Sequence, residues 1–235
     1  MVGCLLIHGF TGGPYEINPL AEYLDEQTDW DIKVPTLPGH GEDLQLQGTT
    51  FEDWLTSAED ALKDLIRKHD IIHLIGFSMG GMIAAYLASK YKIAKLVLLA
   101  PAGRYLNFKQ IRLDINSVIR SGLKGELEEN KLYLRYKNKW GQVPLKANVE
   151  FLKLINYTRP YLKKVDTPVL IAHGQKDGIV PYKTAYYLDK EIDSKHKEIV
   201  LLDRSKHLLC LGEDSETVNF MVHDFLGKPE TGKCH

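Results

Sequence analysis

Residues 71–82 read IIHLIGFSMGGM, an apolar run that leads into a Gly-x-Ser-x-Gly turn and then into an Ala-rich segment. The first five residues have the length and composition of a buried strand, and the residues after the turn are typical of a helix. A serine at a tight strand-to-helix turn holds its hydroxyl beyond the end of a sheet, in a backbone that only small neighbours permit. Gly76 and Gly80 are those neighbours, so Ser78 is the candidate nucleophile.

The composition is typical of one compact domain. The chain has 235 residues, of which 44% are hydrophobic and 26% are charged, and this length is sufficient for a sizeable core. Its net charge of -1 argues against a nucleic acid as the partner.

The cysteines and the apolar runs bear on the cellular compartment of the protein. Cys4, Cys210 and Cys234 are an odd number without the spacing of a zinc site, so the sequence predicts neither a disulfide framework nor a bound metal. No basic N-terminal region precedes a long apolar run, and no apolar run reaches the roughly 18 residues that a membrane span needs. We therefore expect a cytoplasmic protein without a transmembrane segment.

Six apolar runs have the length of strands, and most of them do not alternate with polar residues. This pattern favours strands that are covered on both faces, as in a parallel sheet. Helical patterns lie between them, the clearest beginning after Thr50, a predicted N-cap. The sequence therefore predicts a doubly wound α/β fold with its ligand at the carboxyl ends of the strands. The runs are 2–7, 32–34, 71–75, 96–100, 169–172 and 199–202.

One long segment departs from this alternation. Residues 102–165 carry helical patterning without a convincing strand, and the segment is too long for a simple crossover. We interpret it as a helical cap inserted into a core formed by residues 1–101 and 166–235. The cap has a net charge of +9 and eight aromatic residues, whereas the rest of the chain has a net charge of -10. Two interpretations stay open: a solvated face with aromatic packing beneath it, or a basic mouth for anionic substrates or interfaces.

A serine nucleophile needs an imidazole to accept its proton and a carboxylate to fix the tautomer of that imidazole. Asp177 follows the strand at 169–172, and His207 follows the last strand. Because both positions lie at the carboxyl edge of the predicted sheet, they are the candidate acid and base, in the chain order that is usual after a nucleophile elbow. Asp203 is a competing acid, but its position four residues before His207 favours a role in a turn.

A tetrahedral intermediate also needs two N–H donors for its oxyanion. The backbone N–H of Met79, directly after the nucleophile at a helix N-terminus, is the first candidate. The second is the N–H of Phe10, in the Gly-rich loop HGFTGG at residues 8–13. The loop contains neither a P-loop nor a Gly-x-Gly-x-x-Gly motif, so a phosphate site has little support.

These motifs, taken together and in order, resemble the α/β-hydrolase superfamily, and within it the bacterial carboxylesterases and monoacylglycerol lipases. The matching stretches are HGFTG at 8–12, PGHG at 38–41, GFSMGG at 76–81, HGxxDxxVP at 173–181 and SxH at 205–207. The resemblance covers nearly the whole chain. It implies a catalytic triad of Ser78, Asp177 and His207 with an oxyanion hole at Phe10 and Met79. It assigns His8, His40 and His173 no catalytic role.

The resemblance also implies the architecture. The strand at 2–7 corresponds to the third strand of that family, so we expect a mostly parallel sheet of about six strands, with helices on both faces and an inserted helical cap.

The expected activity is hydrolysis of carboxylic esters through an acyl-enzyme on Ser78, without a cofactor or metal. Short to medium acyl esters, including monoacylglycerols, are the first choice of small-molecule substrate, and cinnamoyl or feruloyl esters are the second. Another reaction on the same fold, such as C–C bond hydrolysis or a haloperoxidase-like reaction, stays open. A binding protein without catalysis is the least favoured hypothesis, because Ser78, Asp177 and His207 are all present. A homodimer is one of the assemblies that the sequence leaves open.

Overall fold

A parallel sheet of six strands organises the fold in the computed structural model, which describes residues 1–103 and 143–228. The strands lie in the order β2-β1-β3-β4-β5-β6, and every neighbouring pair is parallel. The predicted parallel sheet is thereby confirmed, with boundaries that move by up to two residues. The strands are β1 (Val2–Ile7), β2 (Asp31–Lys33), β3 (Ile71–Phe77), β4 (Lys95–Leu99), β5 (Val169–Gly174) and β6 (Lys197–Leu202).

Helices cover both faces of the sheet. The α-helices are α1 (Asn18–Gln27), α2 (Phe51–Ile66), α3 (Met79–Ala88), α4 (Leu145–Thr158), α5 (Lys183–Glu191) and α6 (Ser215–Gly227). Short 3-10 helices span Pro14–Glu16, Arg159–Lys164 and Leu209–Leu211. The predicted start of α2 is confirmed, because Thr50 and Asp53 form a reciprocal capping box that satisfies two backbone donors of the first turn.

The strands divide the interior into two cores. Leu5 and Ile7 of β1 face a core shared with α2, α3, α4 and α5. Cys4 and Leu6, which alternate with them, face a second core shared with α1 and α6. Because both faces are covered, each strand needs apolar residues at consecutive positions. This explains the continuous apolar runs in the sequence.

The predicted cap, residues 102–165, is described only in part, since residues 104–142 lie outside the described residues. Its described portion is helical and consists mainly of α4 and the 3-10 helix after it. Phe151 stacks on Phe10, while Tyr157 and Tyr161 pack against Tyr86 of α3. These three aromatic side chains therefore join the cap to the core, and the boundaries of the cap stay a prediction.

No helix within residues 1–103 and 143–228 combines the length and the apolar character that crossing a membrane requires.

Candidate active site

The turn between β3 and α3 holds Ser78 in a strained conformation. Its φ of 54° and ψ of -114° lie in a region that non-glycine residues rarely adopt. Backbone hydrogen bonds hold the turn on both sides: Ser78 N–H donates to the Leu99 carbonyl at 2.9 Å, and Ala102 N–H donates to the Ser78 carbonyl at 3.1 Å. The last residue of β4 and the segment that follows it therefore fix the turn that presents the hydroxyl.

The two glycines beside Ser78 are required by close packing. A Cβ atom on Gly76 would lie 2.3 Å from the Gly80 carbonyl oxygen, and one on Gly80 would lie 2.2 Å from the Ile7 carbonyl oxygen. Both separations are well below any van der Waals contact. The first turn of α3 can therefore approach β1 and β3 only because these positions lack side chains.

The structure brings the three predicted triad residues together. The His207 Nε2 atom lies 3.0 Å from Ser78 Oγ, and His207 Nδ1 lies 2.7 Å from Asp177 Oδ2. All three residues are buried, with 6–9% of their surface exposed. Ser78 has an imidazole within hydrogen-bond distance, and that imidazole is oriented by a carboxylate, as activation of a serine hydroxyl requires.

Both oxygens of the Asp177 carboxylate accept hydrogen bonds. Oδ1 accepts from the N–H groups of Ile179 and Val180 at 2.8 and 2.9 Å. Oδ2 contacts His207 and, at 3.1 Å, Nε2 of His173. Burial alone would raise the pKa of Asp177, but attraction to His207 and the hydrogen bonds from both imidazoles outweigh it and hold the pKa well below its usual range. Asp177 is therefore ionised at neutral pH.

The competing acid, Asp203, has a different environment. Its side chain is exposed and accepts a hydrogen bond from the Gln175 side chain. His207 Nδ1 bonds to Asp177 instead. Asp177 is therefore the carboxylate that the structure pairs with His207.

The loop that carries His207 is fixed by a second carboxylate, Asp214. It accepts hydrogen bonds from Arg204 at 2.8 and 3.0 Å and from the Ser205 hydroxyl at 2.8 Å. The Ser205 carbonyl in turn accepts from Lys176 N–H at 3.0 Å, in the loop that carries Asp177. The loops of the predicted base and acid are therefore tied to each other.

The two predicted oxyanion donors lie at the same edge of the sheet. Met79 begins α3 directly after Ser78, and Phe10 lies three residues after the end of β1. The Nε2 atom of His8 accepts from Leu37 N–H at 3.1 Å, so its proton is on Nδ1, which donates to the Gly9 carbonyl at 2.9 Å. Since that carbonyl and the Phe10 N–H belong to one planar peptide group, His8 orients the predicted donor.

Glu16 is a site residue that the sequence interpretation missed. Its buried carboxylate accepts a hydrogen bond from Gly9 N–H at 3.0 Å. A Cβ atom on Gly12 would lie 1.9 Å from one of its oxygens, so the glycines of the loop make room for the carboxylate. A charged residue two positions after Pro14, which follows the Gly-rich loop, is the only signal in the sequence, and it is a weak one.

Phe10 connects the Gly-rich loop at residues 8–13 to α4 of the predicted cap. Its ring stacks on Phe151 of α4 with centroids 4.7 Å apart and an angle of 15° between the planes. Trp54 and His40 border the same ring at 5.7 and 5.9 Å. The side chain of Phe10 is therefore held by residues from the core and from the cap.

The described thiols are not alternative nucleophiles. Burial raises the pKa of Cys4 far above its usual range. Burial and the nearby Glu16 carboxylate raise the pKa of Cys210 to about 12. Because a thiolate is the reactive form of cysteine, both side chains stay unreactive at neutral pH.

In the part of the chain that the structure describes, no group of three or more His, Cys, Asp or Glu side chains could hold a metal ion.

A family model matches residues 3–214, which is most of the chain. The chain belongs to the Hydrolase_4 family. The description of this family is serine aminopeptidase, S33, and its expected α/β-hydrolase fold agrees with the sheet and the nucleophile turn described above.

The relatives of this Hydrolase_4 protein include ester hydrolases. It is 28% identical to a thermostable monoacylglycerol lipase of Bacillus sp. (strain H-257), over 97% of this chain and 91% of the relative. It is 23% identical to a carboxylesterase of Bacillus subtilis (strain 168), over 95% and 92%. The structure of Est1E from Butyrivibrio proteoclasticus with ferulic acid bound has a TM-score of 0.69 and 26% identity, over 96% of this chain and 88% of that one.

Proposed function

We propose that this protein is a serine carboxylic-ester hydrolase that forms an acyl-enzyme on Ser78. The observation that carries the proposal is the continuous relay from Ser78 Oγ through His207 to Asp177, with contacts of 3.0 and 2.7 Å. Relatives named monoacylglycerol lipase and carboxylesterase, each aligned over more than 90% of this chain, support ester bonds as the class of substrate.

In the proposed first step, Ser78 Oγ attacks the carbonyl carbon of the ester and its proton passes to His207 Nε2. The negative charge that develops on the carbonyl oxygen is stabilised by the backbone N–H groups of Phe10 and Met79. When the tetrahedral intermediate collapses, the alcohol leaves with the proton from His207, and the acyl group stays on Ser78.

In the second step, His207 removes a proton from a water molecule that attacks the acyl-enzyme. The same two N–H groups stabilise the second intermediate, and His207 then returns the proton to Ser78 Oγ as the carboxylic acid leaves. Asp177 stays ionised throughout and stabilises the imidazolium that forms in each step. The pKa of Asp177, which lies below its usual range, is suited to this role.

The surroundings favour an apolar acyl group. The loops after β1 and β5 carry Phe10 and Ile179, which are only partly buried, and apolar side chains of this kind line the pockets of hydrophobic ligands. An aminopeptidase must instead bind the free ammonium group of its substrate. Among the described residues, the buried carboxylates near the site are already engaged: that of Asp177 by two imidazoles, that of Glu16 by Gly9, and that of Asp214 by Arg204 and Ser205. We therefore place short to medium acyl esters and monoacylglycerols first.

Aromatic acyl esters are the second candidate. Phe10 is only partly buried and stacks on the buried Phe151, so it offers an aromatic ring on which an aromatic acyl group can pack favourably. Est1E, which binds ferulic acid, is similar in fold and 26% identical.

A substrate panel tests the proposal. It comprises p-nitrophenyl esters from acetate to palmitate, monoolein, ethyl ferulate and alanine p-nitroanilide. We expect a clear chain-length optimum among the aliphatic esters, turnover of monoolein, and kcat/KM for the anilide at least 100-fold below the best ester. A preference for ethyl ferulate would support the second candidate. Turnover of the anilide alone would overturn ester hydrolysis as the function.

A further inference from the structure

A second imidazole contacts the predicted catalytic carboxylate. His173 lies near the carboxyl end of β5, and its Nε2 atom is 3.1 Å from Asp177 Oδ2, the oxygen that also bonds to His207. The side chains of His173 and Asp177 have no exposed surface. An interaction inside this low-dielectric interior is stronger than the same pair at the protein surface.

The hydrogen bonds of His173 define its tautomer. Its Nε2 atom lies 2.8 Å from the Val180 carbonyl oxygen, and because a carbonyl oxygen only accepts, Nε2 carries the proton. Its Nδ1 atom has no hydrogen-bond partner within the described parts of the chain. The ring therefore presents a single N–H, shared between the Val180 carbonyl and Asp177 Oδ2.

These contacts close a ring around the carboxylate. Val180 donates its N–H to Asp177 Oδ1 at 2.9 Å and accepts from His173 through its carbonyl oxygen. His173 in turn donates to Oδ2. The imidazole thus links the end of β5 to Asp177 and Val180 in the loop that follows, and these contacts limit rotation of the carboxylate about χ2.

We propose that His173 is a positioning residue for the relay: it holds Asp177 Oδ2 toward His207 and shares the negative charge of that oxygen. This inference rests on the proposed function and goes beyond the triad, because the effect of His173 on Ser78 passes through two other side chains. Within residues 1–103 and 143–228, the titratable groups that contact the carboxylate are His173 on β5 and His207 on the loop after β6.

Removing the second donor has two consequences. The carboxylate gains rotational freedom, so the geometry from Asp177 to His207 to Ser78 is held less tightly, and small displacements in such an array lower the rate strongly. The charge of Oδ2 is also directed toward His207 alone, which favours the imidazolium over the neutral base. The acidic limb of the kcat/KM profile then moves to higher pH.

The test compares three variants of the full chain. His173→Leu removes the N–H donor and leaves a buried apolar side chain in its place. Because Nδ1 has no hydrogen-bond partner among the described residues, the substitution breaks no hydrogen bond at that atom. His173→Gln restores an N–H at about the distance of Nε2. His73→Leu is the matched control, because His73 is also a buried strand histidine but lies in β3, near the amino edge of the sheet.

Two activities are measured for each variant, together with the melting temperature. One is kcat/KM for p-nitrophenyl butyrate between pH 5 and 9. The other is the rate at which a fluorophosphonate labels Ser78, in which the serine oxygen bonds to phosphorus, fluoride leaves and the proton passes to His207. For His173→Leu we expect both activities to fall about tenfold at pH 7 with KM changed less than twofold, and the acidic limb to rise by about half a pH unit. His173→Gln should recover both activities to within about threefold of the wild type.

A lower melting temperature for His173→Leu with unchanged labelling and an unchanged pH profile would show that His173 is only structural. Equal loss of activity in His73→Leu would also overturn the inference. The labelling rate separates this inference from the proposed function. If the wild-type protein is labelled at Ser78 but hydrolyses no ester, the proposed substrate class fails, and the labelling rates still report on His173.

Discussion

The two edges of the parallel sheet both hold buried ionisable side chains, yet they use them differently. At the carboxyl edge, Asp177 contacts the imidazoles of both His173 and His207, and His207 also bonds to Ser78. Near the amino edge, the buried side chains of His73 and Lys95 are neighbours in the register of β3 and β4.

Lys95 bonds to the protein backbone. Its ammonium group donates to the carbonyl oxygens of Phe225 and Leu226 at 2.8 and 3.1 Å, and to that of Lys228, at the C-terminal end of α6. A cation is favourable there because it satisfies carbonyl groups that the helix leaves free. Burial and the charge of Lys95 lower the pKa of His73 to about 4, so His73 is neutral at pH 7.

The difference between the edges shows that burial of an ionisable residue does not by itself create a reactive group. Near the amino edge, the burial of Lys95 serves the attachment of the last helix. At the carboxyl edge, a donor meets an acceptor at every step, and the last group in the chain is a hydroxyl on a strained turn. We therefore expect substitutions at the carboxyl edge to lower activity and substitutions near the amino edge to change stability.

The largest expected effect comes from the acid at the carboxyl edge. In Asp177→Asn, the amide cannot supply the negative charge that stabilises the His207 imidazolium, so we expect kcat to fall on the order of 10³- to 10⁴-fold. Asp203→Asn is the matched control on the neighbouring loop and should keep kcat within about twofold. Steady-state hydrolysis of p-nitrophenyl butyrate measures both. Equal losses in the two variants would show that the charge of the edge, rather than the relay, sustains activity.

A smaller effect on activity should follow from removing the aromatic ring that stacks on Phe10 at the same edge. Phe151→Leu removes the ring that stacks on Phe10, so we expect kcat/KM to fall about three- to tenfold, given the energy of an aromatic pair. Phe51→Leu is the control, since Phe51 is also buried in the same core but contacts Tyr157 instead. It should lose a similar amount of unfolding free energy, about 1–2 kcal/mol, with kcat/KM within twofold. If kcat/KM follows stability in both variants, the stack has no specific role.

The smallest effect on activity is expected near the amino edge, where the change appears in stability instead. Because folding lowers the pKa of His73 from 6.5 to about 4, the unfolded state binds more protons between these values. The stabilising effect of neutral His73 is thus complete above about pH 6.5 and is lost as the pH falls toward 4.

His73→Leu should remove this dependence. Between pH 7 and 4.5, we expect the unfolding free energy of the wild type to fall on the order of 2 kcal/mol more than that of the variant. Urea unfolding at the two pH values measures the difference, and kcat at pH 7 should be unchanged. A difference near zero would mean that His73 is not held neutral by the fold.

Much of the fold follows from local sequence patterns. The apolar runs predict the six strands because burial on both faces requires consecutive apolar residues, and Thr50 marks the start of α2 because its hydroxyl can cap the first turn. Ser78, Asp177 and His207 are predictable because each follows a strand, and parallel strands bring their carboxyl ends to one edge.

Other parts depend on distances that no local pattern contains. The loop after β5 folds back so that Val180, three residues beyond Asp177, bonds to both His173 and Asp177, and a histidine before a glycine does not reveal this. Glu16 supports the Gly-rich loop at residues 8–13 because its side chain folds back onto Gly9 and Gly12. Both contacts depend on how a loop closes in three dimensions.

The formation of an acyl-enzyme is the most direct test of Ser78 as the nucleophile. Wild-type protein and Ser78→Ala are mixed with p-nitrophenyl butyrate, quenched in acid during turnover, digested and analysed by mass spectrometry. We expect a butyryl group on the wild-type peptide that contains Ser78, no such adduct in the variant, and turnover at least about 10³-fold lower in the variant with unchanged circular dichroism. A butyryl group on another residue, or substantial turnover by Ser78→Ala, would contradict it.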